Sequence, residues 1–192
     1  MRVKIFLSQF KKIRKNSLVL FKIKGGVMKD LQKIMLLIID VENALKAGDI
    51  ARIMLKLRDQ MAIFPQEIKK IAIGRANENL QNALKQYGFD YIPNAHCGEK
   101  NSADRQIYAK VRQYIPSLDM CILVSNDSDF APLLKMLKAH HIRVITLCVQ
   151  ESVCKILQTL SDVHFHIFKP KLTPLKLNSI RLKNTNALGG KK

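Results

Sequence analysis

MCILVSNDSDFAPLL, residues 120–134, sets two kinds of sequence back to back. Cys121 to Ser125 is an apolar run of buried-strand length, and from Phe130 an apolar pattern resumes at helical spacing. Asn126, Asp127, Ser128 and Asp129 fall between them. A buried strand that enters a helix through a polar joint is part of a strand–helix repeat. Sheets made of such repeats put their ligand sites beyond the carboxyl ends of the strands. The joint therefore bears on the fold and on where chemistry is to be sought.

The alternation extends in both directions. KIMLLIID (33–40) is a continuous apolar run, as expected of a strand covered on both faces. Ile50, Ile53, Met54 and Leu57 follow at helical spacing. A second strand is predicted over EIKKIAIGR (67–75). A helix follows over NENLQNALKQYG (77–88), capped by Asn77 and stopped by Gly88, then a third strand over FDYIPN (89–94). Ser102 is expected to cap a helix from Ala103 to about Tyr114, ended by Pro116. The fourth strand, MCILVSN (120–126), leads into FAPLLKMLKAHH, where Pro132 suits a first helical turn. IRVITLCV (142–149), a helix near 152–161 and VHFHIF (163–168) close the series. The pattern predicts an α/β domain with a mainly parallel sheet of five or six strands and helices on both faces.

A chain of 192 residues suits one such domain with a sizeable core. Its formal net charge of +18 is unevenly spread. Residues 1–29 hold nine Lys/Arg and residues 169–192 hold seven, with no acid in either. The middle holds the remaining seventeen against all fifteen acids, so it is only +2. The organisation read from this is a basic N-terminal arm or extension (1–29), a nearly neutral domain (30–168) and a basic C-terminal tail (169–192). Met28 is also a plausible alternative start. Acid-free basic arms favour polyanions, nucleic acid foremost, although basic tails also serve solubility alone. The N-terminal stretch lacks the features of a secretory signal. No apolar run approaches the ~18 residues a membrane span needs, so no membrane partner is expected. The cysteines at 97, 121, 148 and 154 form no Cys-x-x-Cys pair, which suits a reducing cytoplasm rather than a disulfide framework or structural zinc. Neither His96-Cys97, His140-His141 nor His164-x-His166 has a recognisable ligand spacing.

Beyond the strand ends stand the acids. The first strand closes on Asp40, followed by Glu42 and Asn43; the fourth closes on Asn126-Asp127-Ser128-Asp129; Asp104 lies in the first turn after the third strand. Each alone reads equally well as a helix cap or a first-turn acid. Together they read differently. Neighbouring strands lie ~5 Å apart, so if the first and fourth pair, their terminal carboxylates converge and repel unless a cation stands between them. Oxygen-only ligation selects a hard ion, Mg²⁺ or Mn²⁺. With basic arms, that suggests phosphodiester hydrolysis. No Gly-rich phosphate loop follows the first strand, and no Ser-His-Asp or Cys-His arrangement stands out.

IIDVENA (38–44), EKNSADRQIYAKV (99–111) and ILVSNDSDFAPLLKMLKAHHIRVITL (122–147) together resemble the NYN domains of the PIN-like nuclease superfamily, its bacterial LabA-like branch most closely. The resemblance covers roughly residues 33–168. It implies a three-layer α/β/α fold with an acidic metal site and Mg²⁺- or Mn²⁺-dependent ribonuclease activity. Asp40 matches the first-strand metal-binding Asp, and Asn43 the Asn closing that signature. Asp104 matches the Asp of the third motif, Asp127 and Asp129 the acidic pair of the last, and Ser125 its small hydroxyl residue. Lys100 and Asn101 match the basic, polar lead-in. Two departures stand out: Lys110, where many relatives carry a second acid, and Ile73-Gly74-Arg75, where relatives often show an aromatic-Gly-Asp cluster.

The reading expected is a metal-dependent endoribonuclease. Asp40, Asp104 and Asp127 would hold the ion, and Asp129 would ligate it or orient water. Asn43 and Ser125 would position the scissile phosphate, and Lys100, Asn101 and Arg105 would meet the RNA backbone. Single-stranded RNA suits an open cleft, with Tyr91, Tyr108 and Phe130 as stacking candidates. The alternative, motivated by Lys110, is a weak or inactive RNA-binding or regulatory module. Oligomeric state is left open, a homodimer included.

Overall fold

The computed structural model describes residues 33–43, 45–61, 68–94, 101–149 and 153–167. The two basic arms, His96, Cys97 and Lys100 lie outside them. Six strands form one sheet: β1 (Ile34–Asp40), β2 (Ile68–Gly74), β3 (Asp90–Pro93), β4 (Leu118–Val124), β5 (Arg143–Cys148) and β6 (Val163–His166). Their order is β3-β2-β1-β4-β5-β6, and every pairing is parallel. The helices between them are α1 (Ala47–Met61), α2 (Glu78–Gln86), α3 (Ser102–Tyr114), α4 (Ala131–Ala139) and α5 (Lys155–Leu160).

The chain steps outward from β1 to β2 and β3, returns through α3 to β4 beside β1, and then steps the other way. Right-handed crossovers turn that reversal into a change of face. On one face Leu37 and Ile39 pack with Ile50, Ile53 and Leu57 of α1 and Leu84 of α2. On the other, Leu36 and Ile38 pack with Ile107 and Val111 of α3, Leu133 and Leu137 of α4 and Leu157 of α5. Alternate residues of one strand thus serve opposite layers. That is why the strand runs are continuously apolar. Truncating one of these core side chains to alanine costs about 2–5 kcal/mol.

Local signals hold at most joints. Asn77 caps α2 by accepting the Leu80 N–H at 3.0 Å. Gly88, at φ +71°, lets the chain leave it, with the N–H groups of Gly88 and Phe89 returning to the Lys85 and Leu84 carbonyls. The start of α3 differs from expectation. Ser102 is its first helical residue, and Asn101, left-handed at φ 61°, occupies the cap position without a side-chain cap bond. The cause is tertiary, because the Ser102 hydroxyl is bonded to buried Asn94. β4 hands over to α4 through a 3₁₀ turn, Ser128–Phe130, so α4 begins at Ala131 rather than Phe130. The last helix begins at Lys155, later than expected.

Candidate active site

β1 and β4 are the neighbours where the strand order reverses, and their ends are joined by side chains. Ser125, just past β4, donates its hydroxyl to Oδ2 of Asp40, the last residue of β1, at 2.9 Å. Asp40 is 3% exposed, so its charge is nearly dry. Burial pushes its pKa up to about 6; the charges of Asp104 and Asp127 add to this, against the bonds from Ser125 and the Glu42 N–H.

Beyond Ser125 the polar joint folds on itself. The Asp127 N–H donates to Ser125 Oγ at 3.1 Å, and Asp127 Oδ1 accepts the Asp129 N–H at 2.9 Å. Asp127 is therefore a cap, as its position allowed, and the cap bond fixes where its carboxylate stands. Asp104 arrives from the first turn of α3. Carboxylate oxygens of Asp104, Asp127 and Asp129 all lie within 4.8 Å of one another. Burial raises the pKa of Asp104, and the charges of Asp127, Asp129 and Glu42 raise it further. The four expected aspartates thus resolve into a close triad with Asp40 buried behind it. An all-carboxylate donor set at this spacing fits a hard divalent cation such as Mg²⁺ or Mn²⁺.

Three further groups hold this geometry. Asn43 Oδ1 accepts the Asn126 N–H at 3.2 Å, tying the turn after β1 to the turn after β4. Asn94, at the end of β3 and 6% exposed, donates to Glu42 Oε1 at 3.0 Å and is bonded to Ser102 and Gln106 of α3. Tyr108 of α3 donates its hydroxyl to the Asp129 carbonyl and accepts the Leu133 N–H, both at 3.0 Å, while its ring stacks on Phe130. Gly74 ends β2 at φ +128°; a Cβ there would stand 2.9 Å from Glu42 Cγ. A side chain at the end of β2 would thus collide with the turn that follows Asp40.

A groove of about 370 Å³ opens beside the triad, lined by Asn101, Asp104, Arg105, Tyr108, Ala109, Arg112 and Asp129. Of the residues singled out in the sequence, Asp104, Asp127 and Asp129 come together, with Asp40, Ser125 and Asn43 directly behind; Asn101 and Arg105 flank the groove. Ser125 is buried and gives its one proton to Asp40 rather than facing the groove. Lys110 is six residues after Asp104, which turns it about 240° around the helix. It shares the flank of Gln106, away from that of Asp104 and Tyr108. Asn94 and Arg112 were missed, and Gly74 was noted only as part of a departure from the family pattern. Asn94 was within reach of the strand-end rule that found Asp40, because it is the polar residue that follows β3.

The sequence model of the NYN domain matches residues 34–169. No protein of curated function matches the chain. Among solved structures, a protein of unknown function from Vibrio parahaemolyticus superposes with a TM-score of 0.52 at 18% identity, over 73% of this chain and 96% of its own. GenD2 from gentamicin A biosynthesis, in complex with NAD, is 9% identical over 76% of this chain and 37% of its own, with a TM-score of 0.34. A short-chain dehydrogenase/reductase from Burkholderia vietnamiensis is 11% identical over 82% and 94%, also at 0.34. The first likeness is one of fold. At 0.34 the other two have no bearing on this chain's cofactor or chemistry.

Proposed function

Because this chain belongs to the NYN domain family of PIN-like nucleases, we propose that it is a metal-dependent endoribonuclease that hydrolyses single-stranded RNA at the carboxyl ends of β1 and β4. The observation that carries this is the convergence of Asp104, Asp127 and Asp129 within 4.8 Å at the point where the strand order reverses. Those three, with Asp40 adding a fourth carboxylate behind them, would hold Mg²⁺ or Mn²⁺. The bound ion would supply a water acidified toward neutral pH and charge to offset that of the transition state.

The chain's own residues do the positioning. Ser125 orients the Asp40 carboxylate by giving it a proton to share, and Asn43 keeps the two strand-end turns in register by holding Asn126. Asp129, the exposed member of the triad, would orient a water or a phosphate oxygen. Asn101 and Arg105 would meet the RNA backbone from the groove, and Lys100, the residue before Asn101 in the sequence, is assigned the same role. The basic arms add sequence-independent, salt-sensitive affinity. Cys121 and Cys148 lie buried in β4 and β5 as small apolar side chains, a use of cysteine that suits a reducing cytoplasm. No helix among the described residues is long and apolar enough to cross a membrane.

The test is cleavage of a labelled single-stranded RNA with Mn²⁺, with Mg²⁺ and with chelator, using wild type and Asp127→Asn. Cleavage that needs the ion and is lost in the variant supports the reading. If the variant cuts as fast as wild type, or chelator has no effect, the reading fails. Salt-sensitive binding without metal-stimulated turnover would instead make the protein a binding module.

A further inference from the structure

We infer that Arg112, in the last turn of α3, is a phosphate contact that grips the substrate strand beyond the cut and so selects substrates long enough to reach it. The inference rests on the nuclease reading above and extends it along the groove. Asn101, Arg105, Tyr108 and Arg112 recur at spacings of three to four residues, so one flank of α3 forms the groove wall. The ends of this wall differ in charge. Asp104 and Asp129 stand at one end, where a polyanion is repelled unless a cation intervenes. Arg112 stands seven residues beyond Arg105, about 10 Å along the axis. That is the rise of roughly three stacked nucleotides, so the two arginines serve different phosphates of one strand.

The surface between them is built to be kept clear. Ala109 puts only a methyl group there. Tyr108 cannot swing into it, because its hydroxyl is bonded to both Asp129 and Leu133. Burial raises the pKa of that hydroxyl, and the charge of Arg112 opposes the rise slightly. Among the described residues no carboxylate forms an ion pair with Arg112, whereas Arg52 and Arg58 of α1 are held by Asp49 and Asp59. The plain alternative is that Arg112 merely complements the helix dipole at its C-terminus. That role would change stability and leave strand affinity alone.

The experiment uses the full chain with fluorescent single-stranded RNA in chelator, titrated by anisotropy over a salt series. Arg112→Gln is compared with wild type, with Arg112→Lys and with Arg58→Gln as a surface control. Arg112→Gln is expected to bind about tenfold more weakly and to lower the magnitude of the salt slope by about 0.7. Arg112→Lys should recover most of the slope, and the control should match wild type. In cleavage with Mn²⁺, KM of Arg112→Gln for a long RNA should rise about tenfold with kcat within twofold, and a substrate of two or three nucleotides should be cut as by wild type. Unchanged affinity and slope, or a fall in kcat at constant KM, would overturn the inference while leaving the nuclease reading in place. Wild type that binds RNA with these Arg112 effects but never cuts would keep the contact and sink the nuclease reading. Wild type that neither binds nor cuts would overturn both.

Discussion

Replacing Asp40 with Asn should make the metal-free protein more stable while disabling it. The carboxyl is 3% exposed, and its pKa moves from 3.8 to about 6 on folding. A raised carboxylate pKa means that the folded state prefers the proton. Its favourable effect is complete below pH 3.8 and is lost as the pH rises through about 6. The shift of about 2 pH units is worth about 3 kcal/mol at 1.36 kcal/mol per unit. Asparagine removes the charge at every pH and still accepts the Ser125 hydroxyl. It loses part of what the Glu42 N–H gave to a carboxylate, so the net gain expected at about pH 7.5 is about 2–3 kcal/mol. At about pH 4 the gain shrinks below about 1 kcal/mol. The assay is urea unfolding followed by circular dichroism, with chelator present, for wild type and Asp40→Asn over that range. The difference between the two proteins cancels every other titrating group to first order. An Asp40→Asn protein equally or less stable at about pH 7.5, or a difference that ignores pH, would refute the claim that Asp40 is held as a strained charge.

Tyr108→Phe removes the bonds to Asp129 and Leu133 without changing the ring; about 1–2 kcal/mol of stability should go, and Mn²⁺ should bind more weakly by isothermal titration. Gly74→Ala forces a side chain into φ +128° and against Glu42; a loss of about 1–3 kcal/mol is expected in urea unfolding, together with a fall in Mn²⁺-dependent cleavage. Asn94→Ala leaves Ser102 without its buried partner and Glu42 without its donor, which should cost about 1–3 kcal/mol and lower RNA cleavage more than RNA binding.

How far the sequence carried is clearest at individual joints. The run IMLLIID in β1 is legible because both faces of the sheet are covered, which leaves no solvent side to interrupt it with polar residues. Asp40 and Asp127 are legible because strand ends are where parallel sheets keep their ligands. That Asp40 and Ser125 touch was not legible, because it depends on β1 and β4 being neighbours, and strand order is set by crossover direction rather than by local pattern. Ser102 shows the opposite error. A serine ahead of an apolar helical pattern is a sound cap signal, but a partner eight residues back claimed its hydroxyl. Tyr108 offered a ring to a sequence reading, whereas its hydroxyl joins α3 to a turn twenty-one residues away. Side chains that act across the fold carry no local signature.

The most direct test of the central claim is a crystal of the full chain soaked in Mn²⁺ and measured for anomalous scattering. The account predicts a peak bonded to carboxylate oxygens of Asp104, Asp127 and Asp129, lost in crystals of Asp127→Asn. No peak there at a Mn²⁺ concentration that supports RNA cleavage, or a peak held by other residues, would contradict it.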